Sequence, residues 1–318
     1  MTGDYKRSIM TDTSYIVRNY RPADFNKYVL LCRESNELRP SGHPVSPEMV
    51  AAWLNWPYYS PEKDLFLVES EGDILGGLDL RPEPDINRVI LRCWIKPEHR
   101  RKGLAMRLFS QALRRVRELG IKYIHVNIHE SNNVAAVVLK KFGFKPIRTY
   151  LEMKINLSEM DRPEADKAAG ECRNFKPGEE AELTRLQNRA FAGQWGYNPN
   201  TTETITYYTR LGGFSPEQVI FICDSNKIIG YCWVELVPSS DDVSQTEGNI
   251  HMLGVDPGYR GKGIGRKALM AGLAYLIDKG VKTASLSVDS KNRAATGLYR
   301  SIGFKTQAKN LWYEKEVD

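Results

Sequence analysis

Two short turns in this chain carry the residue types that bind an anionic group: Arg100-x-x-Gly103-x-Ala105 and Arg260-x-x-Gly263-x-Gly265. Each is basic, has small residues where a backbone must come close to a ligand, and opens a helix pattern. The start of a helix offers unpaired N–H groups and the positive end of its dipole. Such a turn holds phosphate through backbone donors, with Arg or Lys adding charge. A single turn of this kind would serve equally well as a plain strand-to-helix connection. Here the flanks repeat too: CWIKPEHRRKGLA, ending at Ala105, reads against LGVDPGYRGKGIG, ending at Gly265, and Asn132 and Gly143 recur as Asn292 and Gly303. All these pairs are 160 residues apart, so the chain is an internal duplication, and the repetition argues that the turns hold a ligand. Neither turn is a P-loop, because Lys262 is followed by Gly263 rather than Ser or Thr. Neither half has Gly-x-Gly-x-x-Gly at the start of a βαβ unit.

Other chemistries have weaker support. Five cysteines (Cys32, Cys93, Cys172, Cys223, Cys232) are odd in number and widely spaced, mostly in apolar segments, and read as reduced core residues. The five histidines, His43, His99, His125, His129 and His251, show no zinc-ligand spacing, and no metal is expected. His125 and His129 lie in the alternating strand IHVNIH, where a spacing of four does not make a helix face. A net charge of +6 is mild, and its basic runs are confined to the two turns and one helix with Arg114, Arg115 and Arg117. That placement favours a small polyphosphate ligand and argues against nucleic acid. No apolar run is long enough to cross a bilayer, and the first residues, MTGDYKRSIMTDTS, lack the apolar core of a secretory signal, so a cytoplasmic protein is expected.

The elements that must position the turns recur in the same order. YIVRNYRPADF and ECRNFKPGEEAEL each start a half, with the polar stretch SEMDRPEADKAAG between them. The reading is therefore a first domain over 1–157, a linker over 158–170 and a second domain over 171–318. After the early helices come hairpins, DLFLVES with ILGGLDL and QVIFICD with IIGYCWVELV. A strand, the basic turn and a helix follow, with apolar residues at Leu104, Leu108, Ala112 and Val116, or at Ile264, Ala268, Gly272 and Leu276. Gly120 and Gly280 stop these helices. A further strand, an asparagine turn, a short helix and Gly-Phe complete each unit. The fold class is α/β, with a mixed, mostly antiparallel sheet flanked by helices in each half.

The strand, the Arg-x-x-Gly-x-Gly/Ala turn, the long helix, the Asn292 turn and the ending LYRSIGF resemble the GNAT superfamily of acetyl-CoA-dependent N-acetyltransferases, present twice in tandem. The tandem arrangement is similar to that of mycothiol synthase. The resemblance implies that acetyl-CoA is the co-substrate, held in the second half by strand residues Met252, Leu253, Gly254 and Val255 and by Arg260, Gly261, Lys262, Gly263, Ile264, Gly265 and Arg266. In the first half it implies Cys93, Ile95, Arg100, Arg101, Lys102, Gly103, Leu104 and Ala105. Asn132 and Asn292 are implied contacts of coenzyme A, and Tyr299 the proton donor to the departing thiolate. The counterpart of Tyr299 is Leu139, which has no proton to give, so the second half is expected to be catalytic and the first incomplete.

Acyl transfer to an amine moves two protons. An ammonium of the lysine kind has a reference pKa of about 10.4 and must be deprotonated before it attacks, and the leaving thiolate benefits from a donor. Family members use a glutamate on the motif strand as base, but this chain has Asn249 there. Strand alternation places Glu247, Asn249 and His251 on one face, which makes Glu247 and His251 the candidate bases through water. No cysteine has an activating setting, so direct attack in a ternary complex is expected. The acceptor is expected to be a small-molecule primary amine, shaped by RAFAGQWGYNPNTTETITYYTR and SGHPVSPEMVAAWLNWPYY with Trp195, Tyr197, Trp53 and Trp56. Packing between the domains is the competing role for any one of these aromatics. A protein N-acetyltransferase, a non-enzymatic acyl-CoA sensor and a homo-oligomer remain open at this stage.

Overall fold

The computed structural model describes residues 15–37, 45–238 and 246–318. His43, the start of the segment at Ser41 and the N-terminal fourteen residues lie outside them. In the first half the strands are β1 (Ile16–Asn19), β2 (Leu65–Ser70), β3 (Asp73–Glu83), β4 (Arg88–Ile95), β5 (Tyr123–His129) and β6 (Lys145–Asn156). Its helices are α1 (Phe25–Glu37), α2 (Pro47–Leu54), α3 (Pro61–Asp64), α4 (Leu104–Glu118) and α5 (Asn133–Lys141), and α6 (Arg162–Gly170) follows. The second half repeats the order with β7 (Arg173–Asn174), α7 (Glu180–Phe191), α8 (Thr202–Thr209), β8 (Val219–Asp224), β9 (Lys227–Pro238), β10 (Thr246–Val255), α9 (Ile264–Asp278), β11 (Thr283–Asp289), α10 (Arg293–Ile302) and β12 (Lys305–Glu316).

The periodicity explains the long helices. Leu104, Leu108, Ala112 and Val116 are all buried against the first-half sheet, as are Ala268, Gly272 and Leu276 against the second. Each large apolar side chain so buried is worth roughly 1.5–3 kcal/mol. Gly272 is required by close approach, because a Cβ there would sit 2.6 Å from Cys232 Sγ. The linker read over 158–170 is helical from Arg162 to Gly170: Asp161 caps α6 by accepting from Glu164 N at 3.1 Å, and Ala165 and Ala168, three apart, bury one face in the second-half core.

Among the described residues the strands form one twelve-stranded sheet in the order β1-β2-β3-β4-β5-β12-β6-β11-β10-β9-β8-β7. The last strands are exchanged. β6, from the first half, pairs antiparallel with β11 from Thr283↔Asn156 to Asp289↔Tyr150, while β12 pairs with β5 from Asn310↔His129 to Glu316↔Tyr123. The two meet at the centre of the sheet, where Asn310 pairs with its own counterpart Tyr150, on a pseudo-dyad. Core composition follows the exchange: Leu151, Met153 and Ile155 pack in the second-half core, and Leu311, Tyr313 and Val317 in the first.

In both halves the motif strand splays from its parallel neighbour. β4 pairs with β5 only over Arg88–Ile90, and β10 with β11 only at Gly248 and Asn249. Beyond these points one edge of each strand is unpaired. That opening explains a correction: Cys93, read as a core residue, is exposed on the free stretch of β4. A further asymmetry is a bulge in β10, where the register against β9 shifts between Ile250 and Met252; β4 runs against β3 without one. Two residues of β10, His251 and Met252, therefore oppose one on β9. Beside the splay the halves fill the same space from opposite strands: Trp94 lies against Gly77 in the first half, and Tyr231 against Gly254 in the second.

Candidate functional site

The two basic turns adopt one conformation. Gly103 and Gly263 cap α4 and α9 at φ 75° and 77°, and Arg101 and Gly261 precede them at φ 62° and 76°. Arg101 thus holds a left-handed conformation that its counterpart reaches with glycine. Among the described residues the N–H groups of Gly261, Lys262, Gly263, Ile264, Gly265 and Arg266 have no acceptor; neither do those of Arg101, Gly103, Leu104 and Ala105. This is the donor array that an anionic phosphate fits. Side chains reinforce the turns differently. Arg260 donates to Ala190 O at 2.7 Å, Lys262 lies over the Tyr259 ring at 5.2 Å, and Arg266 is paired with Glu164 of α6 at 2.6 Å. In the first half Arg100 turns back to Ile95 O at 2.9 Å and Lys102 donates to Tyr15 at 2.6 Å. The second-half turn lies against its strand and last helix: a Cβ on Gly265 would stand 3.7 Å from Val255 and 3.5 Å from Leu298.

Met252 to Val255 lie on the unpaired stretch of β10, and Cys93 and Ile95 on that of β4, so both strands keep free backbone groups beside their turns. Asn132 and Asn292 cap α5 and α10, each Oδ1 accepting from Ala135 N or Ala295 N at 3.1 Å. Capping explains these residues on its own and leaves each amide Nδ2 without a partner among the described residues. Tyr299, on α10, is 8% exposed and packs with Phe304 in the second-half core. Burial, with a smaller effect from Cys232, raises its pKa above the usual tyrosine value, and its hydroxyl makes no hydrogen bond among the described residues. Leu139 is buried at the matching place in the first half.

The expected bases separate. Glu247 is buried in an ion pair with Lys154 of β6 at 2.9 Å, so the exchanged strand fixes it. Asn249 and His251 both reach a residue that the sequence reading passed over, Glu235. Asn249 lies directly across from it in the sheet and donates to Glu235 Oε2 at 3.1 Å, and His251 Nδ1 is 3.3 Å from Oε1. Trp233 and Tyr208 wall the cluster, with ring centroids 5.1 and 5.9 Å from His251. Burial pushes the Tyr208 hydroxyl up to about 12, with Glu235 contributing. The sequence signal for Glu235 was its place on β9, but only the register brings it opposite Asn249. By the same register, Arg81 of β3, opposite Ile90, stands where Glu235 stands. The first half therefore has neither carboxylate nor tyrosine at the two matching positions.

Two of the four aromatics named from the sequence, Trp56 and Trp195, join the halves. Trp56 contacts Tyr208 and Tyr207 at 4.5 and 5.6 Å, and Tyr207 donates to Ala52 O at 2.7 Å. Trp195 stacks on His125 at 5.4 Å between Arg88 and Arg148, and Trp53 packs in the first-half core. Tyr197 donates to Asn188 Oδ1 at 2.7 Å within the second half. Among the described residues no His, Cys, Asp and Glu group of three or more could hold a metal, and no helix is long and apolar enough to cross a membrane.

Comparison with known proteins bears on this arrangement. The model of the Acetyltransferase (GNAT) family matches residues 30–144 and again 181–304. A mycothiol acetyltransferase of Thermomonospora curvata is 30% identical over 77% of this chain and 80% of its own length. Another, of Thermobispora bispora, is 28% identical over 81% of this chain and 86% of its own. Among solved structures, a GCN5-related N-acetyltransferase from Sphaerobacter thermophilus covers 96% of both chains at 22% identity and a TM-score of 0.69. A tandem GNAT protein from the clavulanic acid biosynthesis pathway covers 96% of this chain and 99% of its own at 15% identity, also with a TM-score of 0.69. These two likenesses concern the fold.

Proposed function

Since the chain belongs to the GNAT family and is an acetyl-CoA-dependent N-acetyltransferase built as a tandem repeat, we propose that it acetylates a primary amine of a small molecule in its second half, by direct attack in a ternary complex. The observation that carries the reading is the cluster of Glu235, Asn249 and His251 on the α8 side of β10, beside the free strand edge. In the first half Arg81 and Ile90 stand at the places of Glu235 and Asn249, and Leu139 at that of Tyr299, so these positions offer neither a base nor an acid.

Acetyl-CoA supplies the thioester. The unpaired amides of Gly261 to Arg266 suit its diphosphate, and the free edge of Met252 to Val255 suits the amides of its arm. Glu235 accepts the proton of the incoming ammonium, directly or through water, while Asn249 holds one carboxylate oxygen and His251 the other. The amine nitrogen then bonds to the acetyl carbon as the carbon–sulfur bond breaks, Tyr299 gives its proton to the sulfur, and the second proton shed by the nitrogen restores Tyr299 through solvent, leaving one proton on Glu235. Burial keeps Tyr299 protonated at neutral pH, as a donor must be. Glu247, anchored to Lys154, has a positioning role at the foot of β10. The relatives' name makes a mycothiol-synthase-like acceptor one version of this reading, and a protein amine another.

The test is acetyl transfer to a panel of amines by the full chain and by Glu235→Gln. The variant is expected to bind acetyl-CoA as the parent does and to lose most turnover. Binding without transfer by the parent for any amine would favour an acyl-CoA sensor. Unchanged turnover by the variant would remove the assigned base.

A further inference from the structure

The loop between α7 and α8 joins two parts of the second-half site. At its start, α7 ends against the coenzyme A turn and the motif strand: Arg260 donates to Ala190 O at 2.7 Å, and a Cβ on Gly254 would stand 3.1 Å from Ala190. At its end, the Thr201 hydroxyl caps α8 by accepting from Thr204 N at 3.1 Å, and α8 carries Tyr208 to the His251 ring, 5.9 Å between centroids. The placement of the loop therefore sets where the α8 wall of the catalytic cluster stands against the acetyl donor. Asn188 of α7 fixes the second part of the loop, its Oδ1 accepting from Tyr197 OH at 2.7 Å and from Asn200 N at 2.9 Å. Trp195, between Gly193 and Gly196, both at φ 74°, reaches to the other half instead.

The middle of the sheet receives it. Arg88, buried at the start of β4, donates from Nη2 to Gly196 O at 2.7 Å, while its Nε bonds Glu83 and its Nη1 lies 3.5 Å from His125 Nδ1. Glu314 of β12 holds the far side of that imidazole, 2.8 Å from Nε2, and the Trp195 ring stacks on its face at 5.4 Å. Burial, ahead of any charge, lowers the His125 pKa below its usual 6.5, so at neutral pH the ring is uncharged and sets no like charge against Arg88. By register the second half has Glu247, Ser285 and Lys154 at the places of Arg88, His125 and Glu314. Glu247 and Lys154 pair directly with each other, whereas the first half turns its guanidinium to the loop of its neighbour.

We propose that Arg88 is a positioning residue for acetyl transfer in the second half: through Gly196 O it fixes the α7–α8 loop, and the loop carries the α8 wall of the acceptor site to its place beside His251. A guanidinium suits this task, because its planar fork is already oriented by Glu83 when the loop carbonyl meets it. The catalytically incomplete half thereby holds the acceptor side of the complete one. The proposal rests on the amine-acetylation reading above, and its test separates the two.

Arg88→Lys keeps a positive charge beside Glu83 but has one nitrogen where three are used. Gly196→Ala attacks the same contact from the loop, since its Cβ would lie 2.7 Å from Arg88 Nη1 and its φ is left-handed. Arg18→Lys, on the edge strand β1 and paired with Asp24, is the control for a loss of stability alone. The full chain and each variant are given glycinamide, glucosamine, putrescine and tyramine, and coenzyme A release from acetyl-CoA is followed with the amine the parent uses best. Acetyl-CoA binding is read by calorimetry, and exchange of the 192–201 amides by mass spectrometry. Arg88→Lys and Gly196→Ala are expected to speed that exchange and to raise the amine KM roughly 10-fold or more, with acetyl-CoA bound as by the parent. The double variant should be no worse than the more impaired single one, because both changes break one contact. Arg18→Lys should lower the melting temperature and leave the amine KM as it was. Exchange or KM unchanged in either loop variant, effects that add in the double variant, or a raised KM in Arg18→Lys overturns the proposal. If the parent acetylates none of the amines, the transfer reading falls, and faster exchange in the two loop variants leaves the anchoring of the loop standing.

Discussion

Removing the Tyr299 hydroxyl should separate chemistry from folding. The ring is 8% exposed and packs in the core, but the hydroxyl has no hydrogen-bond partner among the described residues, so Tyr299→Phe keeps the packing and strands no donor or acceptor. The expected change in stability is within about 1 kcal/mol. Loss of a general acid costs roughly 10²- to 10⁴-fold in rate, or about 3–5 kcal/mol of barrier at 1.36 kcal/mol per factor of ten. Steady-state release of coenzyme A should therefore show kcat lowered by that factor, while acetyl-CoA binds as before in calorimetry. A more acidic leaving thiol needs less help from an acid, so an aryl acetyl thioester, if accepted as donor, should be affected less by the variant than acetyl-CoA is. Burial holds the Tyr299 pKa above the ordinary value of about 10, so a fall in wild-type kcat below that pH should not arise from this residue. Unchanged kcat, or equal loss with both donors, would refute the assignment.

Other consequences follow from the same geometry. Gly261→Asn should retain acetyl-CoA binding, because Arg101 already holds a side chain at that left-handed position of the turn and a Cβ there meets nothing within 4 Å. Gly254→Ala should weaken binding and stability together, since its Cβ would collide with Tyr231 and stand 3.1 Å from Ala190; melting temperature and calorimetry read both. Deleting Lys305–Asp318 removes the strand between β5 and β6, so hydrogen exchange should accelerate in β5 of the first half as well as in the second half. Protection of β5 unchanged from the parent would refute the exchange. In acid, the hydrogen bond from Arg18 holds the Asp24 carboxyl below its usual value. A depressed folded pKa contributes stability above the unfolded value of about 3.9, lost as pH falls through the folded value. Urea midpoints should fall in that window, and less steeply in Asp24→Asn.

The parts legible in the sequence were those set by local pattern. The helices after the turns announce themselves by apolar spacing, and the turns by small and basic residues. The strand exchange was not legible, because β6 and β12 are counterparts of one another and either could complete either half. Only three-dimensional pairing chooses between them. The helix α6 was hidden by its composition, since two alanines three apart are a weak stripe among charged neighbours. Glu235 was missed for a related reason: alternation along one strand named Glu247, Asn249 and His251, but the residue they gather around lies on the neighbouring strand. Asn249 and His251 reach it there, while Glu247 is held by the salt bridge from Lys154, itself on an exchanged strand.

The central claim is that the second half transfers the acetyl group and the first does not. It is tested most directly by comparing Gly263→Val with Gly103→Val in the same transfer assay. Both glycines sit near φ 75° and a Cβ on either would meet nothing within 4 Å, so the strain valine brings lies in the left-handed backbone of each turn. The account expects Gly263→Val to abolish transfer and Gly103→Val to retain it. The reverse result, or equal loss in both, would contradict it.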